Sequence, residues 1–289
     1  MFSEKIMPQE YNVDVLLPHE MTEKTEVIGV RKTTLKFFPL FVLAVLAGAF
    51  IALGAMFATV TAAGASVLPY GLARLVMGLA FCIGLILVVV GGAELFTGNN
   101  LIVMAWASHK VKTTSLLHNW AIVYIGNFVG SVGTAALIFL TRQYTFGGGS
   151  VGETALKIAS SKTQLGFIQA VVLGILGNVL VCLAVWLTYS ARTTADKIMA
   201  IIFPITTFVA ASFEHSIANM YFIPYAMFIK QFDQAFVTSL AEKAPDLSGL
   251  TWSTFFLRNL IPVTIGNIIG GAGLVAAVYW FVYLSDHKK

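Results

Sequence analysis

Ile125-Gly-Asn-Phe-Val-Gly-Ser-Val-Gly133 returns as Ile265-Gly-Asn-Ile-Ile-Gly-Gly-Ala-Gly273. A second pair keeps its spacing as well, Glu94-Leu-Phe-Thr-Gly-Asn99 and Glu214-His-Ser-Ile-Ala-Asn219. A chain carrying both stretches twice is a duplicated unit, and each copy sets a Glu, an Asn and further polar atoms inside a long apolar run. Ionisable groups in such runs are costly and mark function. Repeats that meet at interrupted helices are where solutes cross a bilayer. The duplication therefore reads as a conduit.

The bulk numbers agree. Hydrophobic residues make up 57% of 289 and charged residues 11%, and the mean hydropathy is +0.82. That balance belongs in a bilayer. The first 36 residues mix acids and bases without the apolar core of a secretory signal. Net charge is +4, but the basic residues cluster beside apolar segments, so no nucleic-acid partner is expected. Cys82 and Cys182 both fall inside apolar spans and read as packing residues. They imply neither a disulfide frame nor a metal site.

Residues 37–62, 116–140, 165–189 and 259–284 each have the length of one crossing. Residues 75–107 and 198–229 are too long for one crossing and too short for two. Each carries its polar insert near the middle, so each is expected to be a helix that breaks and resumes. Broken backbone at that depth survives only where protein or water satisfies it. The expectation is an all-α membrane protein of six transmembrane helices, three per repeat (about 37–140 and 165–284). An odd number inverts the second repeat relative to the first. The division is then 1–36, an N-terminal segment in which 13–30 can form an amphipathic helix lying under the pore, read as a surface anchor ahead of a gate; 37–285, the transmembrane domain; and 286–289, a tail. Lys110, Lys112, Arg192, Lys197, Arg31, Lys32, Lys36, Lys288 and Lys289 share one side, which places both termini in the cytoplasm.

His215 is the histidine set well inside a span; His118 sits near a span's start and His19, His109 and His287 are peripheral. An imidazole at that depth needs partners and titrates near neutral pH. Helix starts resuming after a break favour an anion. A proton passed to a weak acid there would let it cross apolar constrictions as a neutral molecule. Thr97, in the other insert, has a hydroxyl that can reach His215 or merely cap its own helix. Glu94 and Glu214 are expected to support the broken helices by accepting freed backbone N–H groups, with Asn99 and Asn219 in the same supporting role. Asn178, an amide in an apolar run, must find a partner. Gly126, Gly130, Gly133, Gly266, Gly270 and Gly273 read as close helix packing.

Four stretches together closely resemble the formate/nitrite transporter family: Gly92-Ala-Glu-Leu-Phe-Thr-Gly-Asn99, Gly177-Asn-Val-Leu-Val-Cys-Leu-Ala-Val-Trp186, Phe213-Glu-His-Ser-Ile-Ala-Asn-Met220, and Asn259-Leu-Ile-Pro-Val-Thr-Ile-Gly-Asn-Ile-Ile-Gly-Gly271. The resemblance is greatest to the formate channels, from Phe213 before Glu-His, Ile223-Pro224 and Ile261-Pro-Val-Thr264; Glu94 stands where some formate members have Asp. It implies an aquaporin-like protomer, a homopentamer in a bacterial or archaeal inner membrane, and passage of formate or another small monovalent anion. It further implies that Phe81 and Leu85 match a cytoplasmic constriction, and Phe208 with Val181 a periplasmic one. Leu95, Phe96 and Thr97 match the loop of the first broken helix, His215 the central histidine, Asn178 a polar pore residue, and Lys162 an outer-vestibule lysine that attracts anions.

Two rival readings fare worse. A membrane haem subunit needs paired axial ligands, and His215 stands alone at depth; neither an enzyme activity nor a cofactor or metal is expected. A water or glycerol pore would carry a paired Asn-Pro-Ala turn, whereas the inserts here read Gly-Asn-Asn and Ile-Ala-Asn.

Overall fold

The structure, a computed structural model, describes residues 15–285; Val13 and Asp14 of the expected N-terminal helix and the tail 286–289 lie outside them. Helix α1 (Pro18–Thr33) leads into α2 (Phe37–Ala62), α3 (Tyr70–Gly91), the short α4 (Val103–Ala107) and α5 (Thr113–Leu140). The second half holds α6 (Ser150–Thr163), α7 (Phe167–Ser190), α8 (Thr194–Ala210), α9 (Ser216–Phe232) and α10 (Gln234–Ser239). A last helix, α11, runs over Trp252–Tyr283 and contains two wider-turn segments, Phe255–Leu260 and Ile269–Ala277. Among the described residues five helices, α2, α3, α5, α7 and α11, are long and apolar enough to cross a membrane. The remaining crossing counted from the sequence, 198–229, corresponds to α8 and α9, neither of which reaches that length alone.

Both expected interruptions are present. Gly92 ends α3 in the left-handed conformation, φ 77°, which a residue without Cβ adopts at little cost. The chain then leaves helical geometry until a 3-10 turn at Gly98–Ile102. In the second repeat α8 starts on a reciprocal cap, Thr193 accepting from Asp196 N–H while the Asp196 carboxylate accepts from Thr193 N–H. It stops just before Ser212, where φ is 59°. Helix α9 resumes with His215 as its N-cap.

Packing follows the repeat: α2 lies against α5 and α3, and α7 against α11 and α8. Repeated glycines make this approach possible. A Cβ on Gly130 would stand 1.9 Å from Val45 O, and one on Gly270 would stand 2.2 Å from Ile175 O. Gly126 and Gly266 are equally closed, with Ala44 Cβ at 2.5 Å and Val171 O at 2.2 Å. Gly133 and Gly273 depart from expectation, since a Cβ at either would meet nothing within 4 Å. Both are exposed, on the side of the helix turned away from that contact.

Helix α1 presents Met21, Thr22, Thr25, Glu26 and Gly29 inward. That face packs on protein, against α4, the Gly98–Ile102 turn and the end of α7. Lys24 Nζ donates to Tyr189 O at 2.6 Å, and Lys110 pairs with buried Glu26. A face carrying two threonines and a glutamate suits a polar protein seat, and it docks the helix beneath the first break.

Candidate functional site at the paired helix breaks

Each break leaves backbone groups without helical partners, and one asparagine per repeat satisfies them. Phe96 N–H donates to Asn127 Oδ1 at 2.9 Å, while Asn127 Nδ2 donates to Glu94 O at 2.9 Å and Ala44 O at 2.7 Å. In the second repeat Ser216 N–H donates to Asn267 Oδ1 at 2.9 Å, and Asn267 Nδ2 to Glu214 O at 3.0 Å and Gly174 O at 2.8 Å. Both asparagines are fully buried. The sequence reading passed over their role, although they hold the same place in the nine-residue repeat that reveals the duplication.

The glutamates therefore do something other than expected: freed N–H groups go to the asparagines, and the carboxylates are met by lysines. Lys32 Nζ donates to Glu94 Oε1 at 2.8 Å and Lys162 Nζ to Glu214 Oε1 at 2.6 Å. Asn99 Nδ2 donates to Glu94 Oε2 at 2.8 Å, and Asn219 Nδ2 to Glu214 Oε2 at 2.6 Å. Asn119 and Asn259 complete the two clusters, accepting from Asn99 and Asn219 at 2.9 and 2.7 Å. A carboxylate 6% or 4% exposed, as these are, needs a countercharge, and partial charges on backbone amides do not supply one.

The two breaks meet through Thr97 and His215. Thr97 Oγ1 lies 2.9 Å from His215 Nε2, and both residues are buried. Ala218 N–H donates to His215 Nδ1 at 3.1 Å. With Nδ1 committed as an acceptor, a neutral imidazole carries its proton on Nε2, facing the Thr97 hydroxyl. Asn178 is turned to the same junction: its Nδ2 donates to Asn267 O at 2.7 Å and to Asn100 Oδ1 at 3.0 Å, and Asn100 Nδ2 donates to Phe96 O at 3.1 Å. Asn178 thus ties the loop of Leu95, Phe96 and Thr97 to α7 and α11. Phe96 itself packs edge-on against Tyr124 at 4.9 Å and Trp120 at 5.8 Å.

The apolar residues group differently from the expected pairs. Phe81 and Phe208, assigned by resemblance to opposite constrictions, touch edge to face with centroids 5.6 Å apart, and Phe208 lies 5.8 Å from the His215 ring. The cause is the α3–α8 crossing, where a Cβ on Gly78 would stand 2.6 Å from Thr206 O; the phenylalanines follow within a turn. Leu85 lines a different cavity together with Leu95. Val181 is buried in the main apolar core.

One cavity therefore lies on each side of the Thr97–His215 pair. The smaller, about 110 Å³, is lined among others by Phe81, Phe208, His215, Lys162, Glu214 and Arg74. Lys162 is paired with Glu214 and stands 5.5 Å from the Phe222 ring centroid, so part of its charge is spent. Arg74, which the sequence reading did not single out, adds a second cation. Its Nε donates to Ala210 O at 3.1 Å, and its Nη2 to Val209 O at 2.5 Å and Ser212 Oγ at 2.6 Å. Those carbonyls end α8 and form its negative pole. Arg74 covers the C-terminal end of α8, a pole that would repel an anion, and its place at the head of the apolar run 75–107 was the available signal. The larger cavity, about 470 Å³, lies on the other side, bounded by α1, the end of α3, the first break and the α7–α8 turn.

Comparison with known proteins bears on this geometry. The sequence profile described as "Formate/nitrite transporter" matches residues 19–281. The formate channel FocA of Escherichia coli K12 is 44% identical over 275 residues, covering 95% of this chain and 96% of that one. FocA of Haemophilus influenzae is 39% identical, covering 91% and 93%. A solved structure described as a pentameric formate channel with formate bound superposes with a TM-score of 0.81 at 44% identity, covering 86% of this chain and 98% of that one. Each of these relatives is described as a formate channel.

Proposed function

Because the chain belongs to the formate/nitrite transporter family, we propose that it conducts formate and related small monovalent anions in both directions through the path joining its two cavities, linked to a proton at low pH through His215. The carrying observation is the 2.9 Å contact between Thr97 and His215, which puts one titratable group from the second repeat against the loop of the first. In this reading Arg74 and Lys162 gather the anion, and the start of α9 favours its charge. The apolar contact of Phe81 with Phe208 resists the ion more than the neutral acid. Proton transfer at the centre has a definite requirement. If Nε2 gives its proton to the carboxylate, Nδ1 must take one, and Nδ1 can do so only by releasing the Ala218 N–H. The relay thus costs the cap of α9 for as long as it lasts.

The assembly proposed with this function is a homopentamer in a bacterial or archaeal inner membrane with both termini cytoplasmic. The basic residues near the α1 end, Arg31, Lys32, Lys110, Lys112, Arg192 and Lys197, support that orientation. Purified protein in proteoliposomes decides the function: sodium formate should enter faster than glycerol, and nitrite, acetate, lactate and hydrosulfide should compete less well than formate itself. Faster glycerol than formate uptake overturns the proposal.

A further inference from the structure

The two repeats make the same backbone contacts with different side chains, and the difference centres on one position. Asn127 and Asn267 donate to Ala44 O and Gly174 O, which aligns α2 with α7 and makes Gly48 the counterpart of Asn178, and Ala52 of Cys182. The nine-residue repeat likewise aligns Ser131 of α5 with Gly271 of α11. In the first repeat the polar side chain is on α5: Ser131 Oγ donates to Gly48 O at 3.1 Å and lies 3.4 Å from Ile217 O, in the first turn of α9. In the second repeat the polar side chains are on α7, and α11 answers them with a bare Cα.

A Cβ on Gly271 would stand 2.3 Å from Asn178 Nδ2, 2.8 Å from Cys182 Sγ and 2.9 Å from Asn100 Oδ1. All three residues are buried. Two of them converge on one atom, the Thr97 carbonyl oxygen: Cys182 Sγ donates to it at 3.2 Å, and Asn178 Nδ2 reaches it at 3.4 Å. Asn100 ties the group together, accepting from Asn178 at 3.0 Å and donating to Phe96 O at 3.1 Å. The helix itself is altered here. Asn178 also donates to Asn267 O at 2.7 Å, two residues before the wide-turn segment Ile269–Ala277, whereas α5 is regular over Thr113–Leu140. A side chain inserted into the helix ladder distorts it, and wide turns are frequent at functional sites.

We propose that Gly271 and Cys182 are positioning residues for the contact between Thr97 and His215. The bare Cα of Gly271 admits Asn178 and Cys182 to the Thr97 carbonyl, and the carbonyl so held aims the Thr97 hydroxyl at His215 Nε2. Gly270, one residue earlier, faces the Ile175 carbonyl at 2.2 Å and serves helix packing; Gly271 faces side-chain atoms and serves the junction.

The flux arm of the test rests on the function proposed above; the stability arm does not. Formate uptake by proteoliposomes should lose its rise at low pH in Gly271→Ala and Cys182→Ala, leaving a pH-independent leak. Cys182→Ser, which keeps a donor, should keep the rise, and Gly273→Ala, at an exposed position, should match wild type. Lys162, Glu214 and Arg74 around His215, and Lys32 and Glu94 at the first break, are untouched in these variants, so a changed profile reports the Thr97 contact. In detergent, a double-mutant cycle joins Cys182→Ala with His215→Asn, two residues that hold Thr97 by its carbonyl and by its hydroxyl. Each should lower the unfolding temperature, and together they should lower it by less than the sum, because a loosened Thr97 leaves less for His215 to hold. A wild-type pH profile in Cys182→Ala overturns the proposal, as do additive falls in the cycle or equal loss in Cys182→Ser and Cys182→Ala. Should Gly271→Ala not fold, Cys182→Ala carries both readings. A wild type that takes up no formate, or takes it up without pH dependence, overturns the functional proposal, and the cycle still decides the positioning.

Discussion

Replacing His215 separates the two jobs its ring performs. Nδ1 caps α9 through Ala218 N–H at 3.1 Å, and Nε2 meets Thr97 at 2.9 Å. Asn is among the best N-cap residues and restores the first contact, whereas Ala restores neither; the loss of a cap costs about 1 kcal/mol. Both variants strand the Thr97 hydroxyl, which is 0% exposed, at a cost of about 1–3 kcal/mol. His215→Asn should therefore lose about 1–3 kcal/mol and His215→Ala about 1 kcal/mol more, read as successive falls in unfolding temperature in one detergent. Flux divides them differently, because neither replacement titrates. Formate uptake by proteoliposomes should rise as pH falls in the wild type, while both variants keep only a pH-independent anion leak. A wild-type pH profile in His215→Asn refutes the relay, and equal stability of the two variants refutes the cap.

Lys162→Met should weaken uptake at low formate concentration and reduce its salt sensitivity, but it also strands the Glu214 carboxylate. A double-mutant cycle with Glu214→Gln should recover roughly 1–3 kcal/mol of coupling in thermal unfolding, and independent effects would show that the 2.6 Å contact contributes little. Ala at Gly130 or Gly270 should cost about 1–3 kcal/mol or abolish folding, since each Cβ would meet a backbone carbonyl at 1.9 or 2.2 Å; Ala at Gly133 or Gly273 should be tolerated in the same expression and unfolding assay. Asp233 is held below the ordinary carboxylate pKa by Phe236 N–H and then the Tyr144 hydroxyl. Its stabilisation is therefore complete above about pH 4 and is lost as pH falls through the lowered value. Asp233→Asn should be less stable at neutral pH and show a shallower acid decline, and parallel pH curves would contradict this.

Much of this architecture was legible because lipid imposes a narrow grammar. Apolar length marked the whole helices, and the excess length of 75–107 and 198–229 required breaks that the structure places at Gly92 and Ser212. Residue types forecast less well where distance decides. Phe81 and Phe208 lie in different repeats, and nothing in their spacing says that Gly78 admits Thr206 closely enough to bring their rings together. The glycine spacing likewise held only for glycines that face a neighbouring helix, and Gly133 and Gly273, being exposed, fell outside it. Arg74 escaped notice because an arginine beside an apolar run has an ordinary interfacial explanation. Its bonds to the last α8 carbonyls appear only in three dimensions.

The paired clusters show why duplication solves a physical problem here as well as leaving a historical mark. A conduit needs helix starts exposed to an anion, so helices must break, and every break frees amides and carbonyls that lipid cannot satisfy. Asn127 and Asn267 supply donors and an acceptor in one side chain, so one residue answers both halves of each break. The glutamates then draw in Asn99 and Asn219 from the resumed helices, and each carboxylate requires a lysine, which arrives from outside the bundle's core: Lys32 on α1 and Lys162 on α6. Lys32 and Lys162, one beside each cavity, thus begin as countercharges to the supports of the breaks. On this argument, a relative lacking either glutamate should lack the matching lysine as well, and an anion at that mouth would have to be gathered by other cations.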